Sequence, residues 1–203
     1  MSLQLLQTDR IFLFLQRQTP AVLLIWLAAI LLAYPDRSII QIIIGVIFVQ
    51  FWSYFIHRLG HDILPTDGFF GMFNTHWNYH HRPNKILPRS IELCIEGITD
   101  LFLNYTLLFI QLATGVMFVP FSVILLNAII YVSIHIINYS IIGSPTHKKH
   151  HLNHNTNFAP DTWDHIFSSS EDDEIEDLTP ICINTVIAFC IVFALKRYCG
   201  WID

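Results

Sequence analysis

Histidine is the residue type in this chain whose spacing could do chemistry. His57 and His61 stand four apart, as do His76 and His80, with His81 directly after; His147 is followed by His150, His151 and His154. These three clusters hold nine of the eleven histidines, and another, His135, lies inside an apolar run. Neutral imidazole is the commonest protein metal ligand near neutral pH. Residues three and four apart share a helix face, so each cluster is expected to present paired nitrogens from one side of a helix. His81 is expected about 100° round from His80. Eight or more imidazoles are too many for one tetrahedral or octahedral ion, so the pattern points to a transition-metal site holding two ions. Cys94, Cys182, Cys190 and Cys199 have no paired spacing and read as small buried hydrophobes.

The elements that must position these histidines follow from composition. Of 203 residues, 53% are hydrophobic and 13% charged, whereas a soluble domain carries about 25% charged residues. So short a chain cannot hide that much apolar surface in an aqueous core, which points to a membrane. A net charge of −5 argues against a nucleic-acid partner. Five apolar segments run from about Pro20 to Tyr34, Ile39 to Ile56, about Leu101 to Val119, Phe121 to Ile142 and Ile181 to Leu195. Pro20 suits the first turn of the first helix and Pro35 its end. Arg10 and Arg17 before that segment suggest a signal peptide, but Tyr34-Pro35-Asp36 follows in place of a small-residue cleavage site, so it reads as a retained helix. The expected fold is all-α: one integral membrane helical bundle over residues 1–203, with about four to five transmembrane helices and a histidine-rich helical cap. Residues 178–203 form its C-terminal transmembrane helix.

Arg58, Arg82, Lys85, Arg89, Lys148 and Lys149 all lie in the two polar stretches that carry the histidines. Positive residues favour the cytoplasmic side, so a multi-pass chain with its histidines facing the cytoplasm is expected. His135 lies about 10 Å inside the end of the fourth segment. An ionisable group at that depth is functional by default, and Asn138 and Tyr139 share its face. His165 reads as a non-ligand, and His154 stays open. The acidic run Glu171–Asp177 reads as a solvated loop without chemistry.

The segments HRLGH (57–61), HWNYHH (76–81) and THKKHHLNHNTNFAPDTWDHIF (146–167) resemble the histidine boxes of the fatty acid hydroxylase/sterol desaturase superfamily. The last is the most specific: an H-x-x-H-H box, Asn157-Phe158, and Trp163-Asp164 followed by Ile166-Phe167. The resemblance covers residues 45–170, which it marks as the catalytic region. It implies an integral-membrane, O2-dependent oxygenase with a non-haem di-iron centre held by histidines. His57 and His61 match the first box, His80 and His81 the second, and His147, His150 and His151 the last. His135 matches the intramembrane histidine before that box. The chain departs from the family in having three residues between His76 and His80 where two are common, Tyr139 where some members have histidine, and Ser168 where glycine is frequent. His76 is retained as a candidate ligand.

What the resemblance implies is an oxidoreductase, a monooxygenase or desaturase acting on a C–H bond of a fatty acyl, sterol or ether lipid. It would use two iron ions, O2 and an external electron donor such as a cytochrome b5 or ferredoxin. The six basic residues named above would form the donor's docking surface. Aromatic residues including Phe51, Trp52, Tyr54, Phe55, Trp77 and Tyr79 are candidates to line a lipid entrance. Asp62, Asp161 and Asp164 adjoin the histidine segments and are candidates to orient imidazole N–H groups; the resemblance favours Asp164. The alternative is a histidine-rich membrane metal transporter or metal-binding protein. A transporter places its ligands near the midplane of several helices, whereas only His135 lies within an apolar segment.

Overall fold

The computed structural model describes residues 2–62, 66–71, 74–81, 87–171 and 175–203, and among these every regular element is helical. Helices α1 (Ser2–Ala33) and α2 (Ile39–Asp62) are followed by a single turn α3 (Gly68–Gly71) and a π-helix, π1 (His76–His81). Helix α4 (Arg89–Thr114) precedes α5 (Phe121–Ser133), which continues without a break as a second π-helix, π2 (Ile134–Ile142). Short helices α6 (Pro145–Leu152) and α7 (Asp161–Ile166) lead to α8 (Ile181–Cys199). Among the described residues, five helices are long and apolar enough to cross a membrane: Phe12–Ala33, Ile39–Asp62, Arg89–Thr114, Phe121–Ile142 and Ile181–Cys199. The chain is a multi-pass membrane protein.

Its surface is apolar where a soluble protein's would be polar. Leu23, Leu27 and Leu31 of α1, Ile40 and Ile44 of α2, Phe102 and Phe109 of α4, and Ile183 and Ile187 of α8 all face outward. That much exposed hydrocarbon is stable only against lipid. Inside, Ala21, Ala28, Ala29 and Ala33 form the buried stripe of α1. Small side chains there let helix backbones approach closely. Gly45 serves the same end on α2, since a Cβ would sit 3.3 Å from the Pro120 ring.

The segment boundaries move for physical reasons. Pro20 lies inside α1, not at its start, and the apolar stretch of that helix already includes Phe12. α4 begins at Arg89, well before Leu101, because its polar side chains Glu92, Glu96, Asp100 and Asn104 turn inward together. It ends at Thr114, since Gly115 takes the left-handed conformation (φ 70°) that stops a helix. Gln111 then accepts the Phe118 and Val119 N–H groups and fixes the turn into α5. Cys94, Cys190 and Cys199 are exposed and Cys182 is partly exposed, so the expectation of buried cysteines is corrected. On a lipid-facing helix a thiol is simply more apolar surface.

A polar knot ties the membrane interior of α2, α4 and α5. Ser53 donates to Asn104 Oδ1 at 2.7 Å, and Asn127 donates to Ser53 Oγ at 2.9 Å and to Asn104 Oδ1 at 3.2 Å. Interhelical hydrogen bonds of this kind contribute about 0.6 kcal/mol on average and up to about 1.7. Replacing Asn104 with leucine should therefore lower stability by about 1–2 kcal/mol, measured as a fall in the thermal midpoint in detergent. An unchanged midpoint would show the knot to be energetically idle. At the end of the bundle away from the histidines, Lys196 donates to Asp36 at 2.9 Å and Asp203 at 2.8 Å, and Asp203 accepts from the Ser122 N–H.

Candidate metal centre

The histidine boxes converge at the opposite end. The first comes from the end of α2, the second from π1, the third from α6, and His135 from π2. The π-helical winding of the second box decides its reach. Its i→i+5 ladder sets residues five apart over one another. His81 therefore turns inward with His76 and His80 rather than about 100° away, and all three are buried.

The ring nitrogens gather in two main groups, joined by a third set, His80, His81 and His151, that shares members with both. His57, His61, His76, His81 and His150 form one, with ligand atoms within 4.8 Å of one another. His76 Nε2 lies 3.1 Å from both His61 Nε2 and His81 Nε2. In the other group, His80 Nε2 lies 2.9 Å from His135 Nε2 and 3.0 Å from His147 Nε2 and His151 Nε2. His151 Nε2 is also 3.0 Å from His147 Nε2. Imidazole nitrogens bind a metal at about 2.0–2.1 Å, so two at right angles on one ion lie about 3 Å apart. The spacing of both groups fits that geometry.

The outer nitrogens fix the tautomers. His57 Nδ1 donates to the Phe158 carbonyl, and His150 Nδ1 donates to the Thr156 carbonyl at 2.5 Å. A carbonyl only accepts, so Nδ1 carries the proton and Nε2 the lone pair. The Nε2 atoms of His57 and His150 are buried with no hydrogen-bond partner among the described residues. Burial, then the neighbouring imidazoles, holds His76, His80, His81 and His147 well below the ordinary histidine range, and burial takes His150 down to about 2. Neutral rings with converging lone pairs repel one another unless a cation lies between them. Either group could hold one.

Sequence reasoning missed the acids behind these rings. Glu92, Glu96, Asp100 and Asn104 repeat every fourth residue along α4 and are at most 3% exposed. Glu96 Oε1 lies 2.7 Å from His80 Nδ1 and 3.4 Å from His135 Nε2, and Asp100 Oδ2 lies 3.6 Å from His135 Nδ1. Arg89, half-exposed, approaches Glu92 and Glu96 no closer than 3.7 Å. Carboxylates removed from water need compensating positive charge. Ser140 donates to Glu96 at 2.8 Å, and cations at the histidine groups would add to the compensation.

Asp164 acts at one remove from the rings. It accepts the N–H groups of Phe158 and Ala159 at 2.9 and 2.7 Å and the Ser169 hydroxyl at 2.7 Å. It thus holds the loop whose Phe158 carbonyl receives His57. Asn157 and Ala159 of that loop have positive φ (54° and 55°), a conformation that non-glycine residues keep only when surrounding contacts over-determine it. Asp164→Ala should weaken metal retention roughly 10–100-fold, the usual cost of a lost ligand-orienting partner. A chelator titration checks this; wild-type retention would free Asp164 of the role.

The other candidates lie further out. Asp62 pairs with Arg58 at the surface at 2.9 Å. Asp161 accepts from Gln18 at 2.9 Å and lies 3.5 Å from His165. His154 stands 4.9 Å from the Trp77 ring, outside both groups. Arg82, Lys85 and residues 172–174 of the acidic run lie outside the described residues. Glu176 of that run is not solvated as expected: its carboxylate accepts from Tyr139 and Ser144, both at 2.9 Å.

An apolar groove reaches the second group from the bundle. Val22 and Ile25 of α1, Ile130 and Ile134 of the α5–π2 helix and Ile181 of α8 line it, with His135 and Tyr139 at its inner end. The expected aromatic lining is absent from it. Phe51 packs against Trp163 at 5.2 Å instead, and Trp52 stacks on Phe48.

The fatty acid hydroxylase family model matches residues 42–169, more than half of the chain. Neither the curated proteins nor the solved structures give a match.

Proposed function

The chain belongs to the fatty acid hydroxylase family, and from that premise we propose that it is a di-iron membrane oxidoreductase that uses O2 to hydroxylate or desaturate a C–H bond of a lipid. The observation that carries this reading is the convergence of neutral histidine rings, one of which, His135, borders a largely apolar groove. His57, His61, His76, His81 and His150 would hold one iron, and His80, His135, His147 and His151 the other. Iron bound there supplies O2 activation and removal of hydrogen from an unactivated C–H bond. The chain supplies the rest. Ile130, Ile134 and Ile181 place an acyl, sterol or ether-lipid chain beside His135 and exclude water from it. Phe158, Thr156 and Glu96 hold the rings in the tautomer that aims Nε2 inward.

The catalytic region is residues 45–170, within a single membrane domain over 1–203 closed by the C-terminal transmembrane helix (178–203). The histidine end faces the cytoplasm, the side its basic residues favour. Electrons come from a separate one-electron carrier of the cytochrome b5 or ferredoxin kind. Arg58, Arg89, Lys148 and Lys149 form its docking surface. Turnover driven by such a carrier should fall steeply as salt rises, because exposed charges are screened within about 8–10 Å. A flat salt dependence would remove the docking surface.

The direct test is lipid analysis of cells grown under labelled O2 that express the wild type or the His150→Ala/His151→Ala variant. Only the wild type should yield a lipid carrying one labelled oxygen, or one with two hydrogens fewer. Identical lipid profiles under O2, with both proteins present in the membrane, would overturn the reading.

A further inference from the structure

Hydroxylation balances only with protons: C–H plus O2, two electrons and two protons gives C–OH and water. An external one-electron carrier supplies the electrons, so the protons must cross into an apolar groove. Glu176 stands on such a path. It borders an open pocket together with Arg17, Tyr139, Ser144, Thr146 and Asp177. Its Oε2 accepts from the Tyr139 hydroxyl at 2.9 Å. Tyr139 lines the groove with His135 and stacks on the His147 ring at 4.5 Å. Gln18 fixes the loop by donating to the Glu176 carbonyl at 2.7 Å and to Asp161 at 2.9 Å.

Resting on the oxygenase reading, we propose that Glu176 takes protons from the open pocket and passes them through the Tyr139 hydroxyl to the groove beside His135. In one transfer the Glu176 O–H proton moves to the Tyr139 oxygen while the Tyr139 O–H proton passes to the O2-derived oxygen that leaves as water; Glu176 is then reprotonated from solvent water in the open pocket. The groups facing Glu176 are Asp161 and Asp164 from α7, Tyr139 from π2, Arg17 from α1, Asp177 of its own loop, and His147 across a small polar recess. Burial raises Glu176 to about 7, against the Tyr139 and Ser144 hydrogen bonds that lower it. A carboxyl that titrates there can both take and release a proton at neutral pH.

The test uses purified full-length protein in vesicles of the expression host's total lipid, with a chemical one-electron reductant and O2. Glu176→Gln should cut product formation about a hundredfold and release hydrogen peroxide in place of product, with metal content unchanged. Tyr139→Phe should show the same defect, and the double variant should be no worse. Independently of turnover, infrared spectra of the metal-free protein should show a carboxyl band titrating near pH 7 that Glu176→Gln removes and Asp161→Asn, whose carboxyl is also raised to about 7, leaves in part. Wild-type coupling in Glu176→Gln, or no change in the band, overturns the proposal while leaving the oxygenase reading standing. A wild type that holds no metal and makes no product overturns both.

Discussion

Replacing His80 with alanine should halve the metal content and reduce lipid oxidation to background. No other ring is as central to its group. His80 Nε2 lies within 3.0 Å of the Nε2 atoms of His135, His147 and His151. Its Nδ1 takes the Glu96 carboxylate at 2.7 Å. Removing it leaves three nitrogens at that position and takes one hydrogen-bond donor from the buried Glu96. The five-histidine group does not include His80 and should keep its ion. Elemental analysis of purified wild type and variant, with helical content as the check on folding, measures the effect. Retention of both ions would contradict the role of His80. Loss of both, with the fold intact, would contradict the division into two separate groups.

Glu96 should matter nearly as much, through the ring it holds. Its carboxylate accepts the His80 Nδ1–H and so commits the lone pair of that ring to Nε2. Together with Asp100 it also places negative charge beside the second group, which would balance bound cations. Glu96→Leu should weaken retention of one ion by roughly 10–100-fold. Glu96→Gln keeps an acceptor oxygen for His80 but loses the charge, so it should fall between Leu and wild type. Chelator competition at fixed pH ranks the three proteins. Equal retention in all three would show that the acidic face of α4 serves only packing.

The histidines and the spans were readable because both signals are local. Four-residue spacing marks a shared helix face, and a run of apolar residues marks a span whatever its neighbours are. The acids of α4 obey the same four-residue rule. They escaped notice because they dilute the hydropathy of the segment, which therefore seemed to begin at Leu101 and not at Arg89. The inward turn of His81 depends on π-helical winding, which the 3.6-residue repeat does not anticipate. Glu176 was hidden by its company. In a run of acids every member looks solvated, yet Arg17 and Gln18 of α1, 158 residues away, bond the Ile175 and Glu176 carbonyls and pin that end of the loop inward. Asp164 adjoined the right box, but its effect passes through the backbone at Phe158 and Ala159. Contacts made through carbonyls and N–H groups leave no mark in side-chain spacing.

Metal counting on the purified protein decides whether two ions sit in this histidine cage. Full-length protein purified in mild detergent from iron-replete cells should contain close to two irons per chain. The His150→Ala/His151→Ala variant should contain markedly less, because it removes one ring from each group. Absence of stoichiometric metal from the wild type, or an equal amount in the variant, would contradict the account.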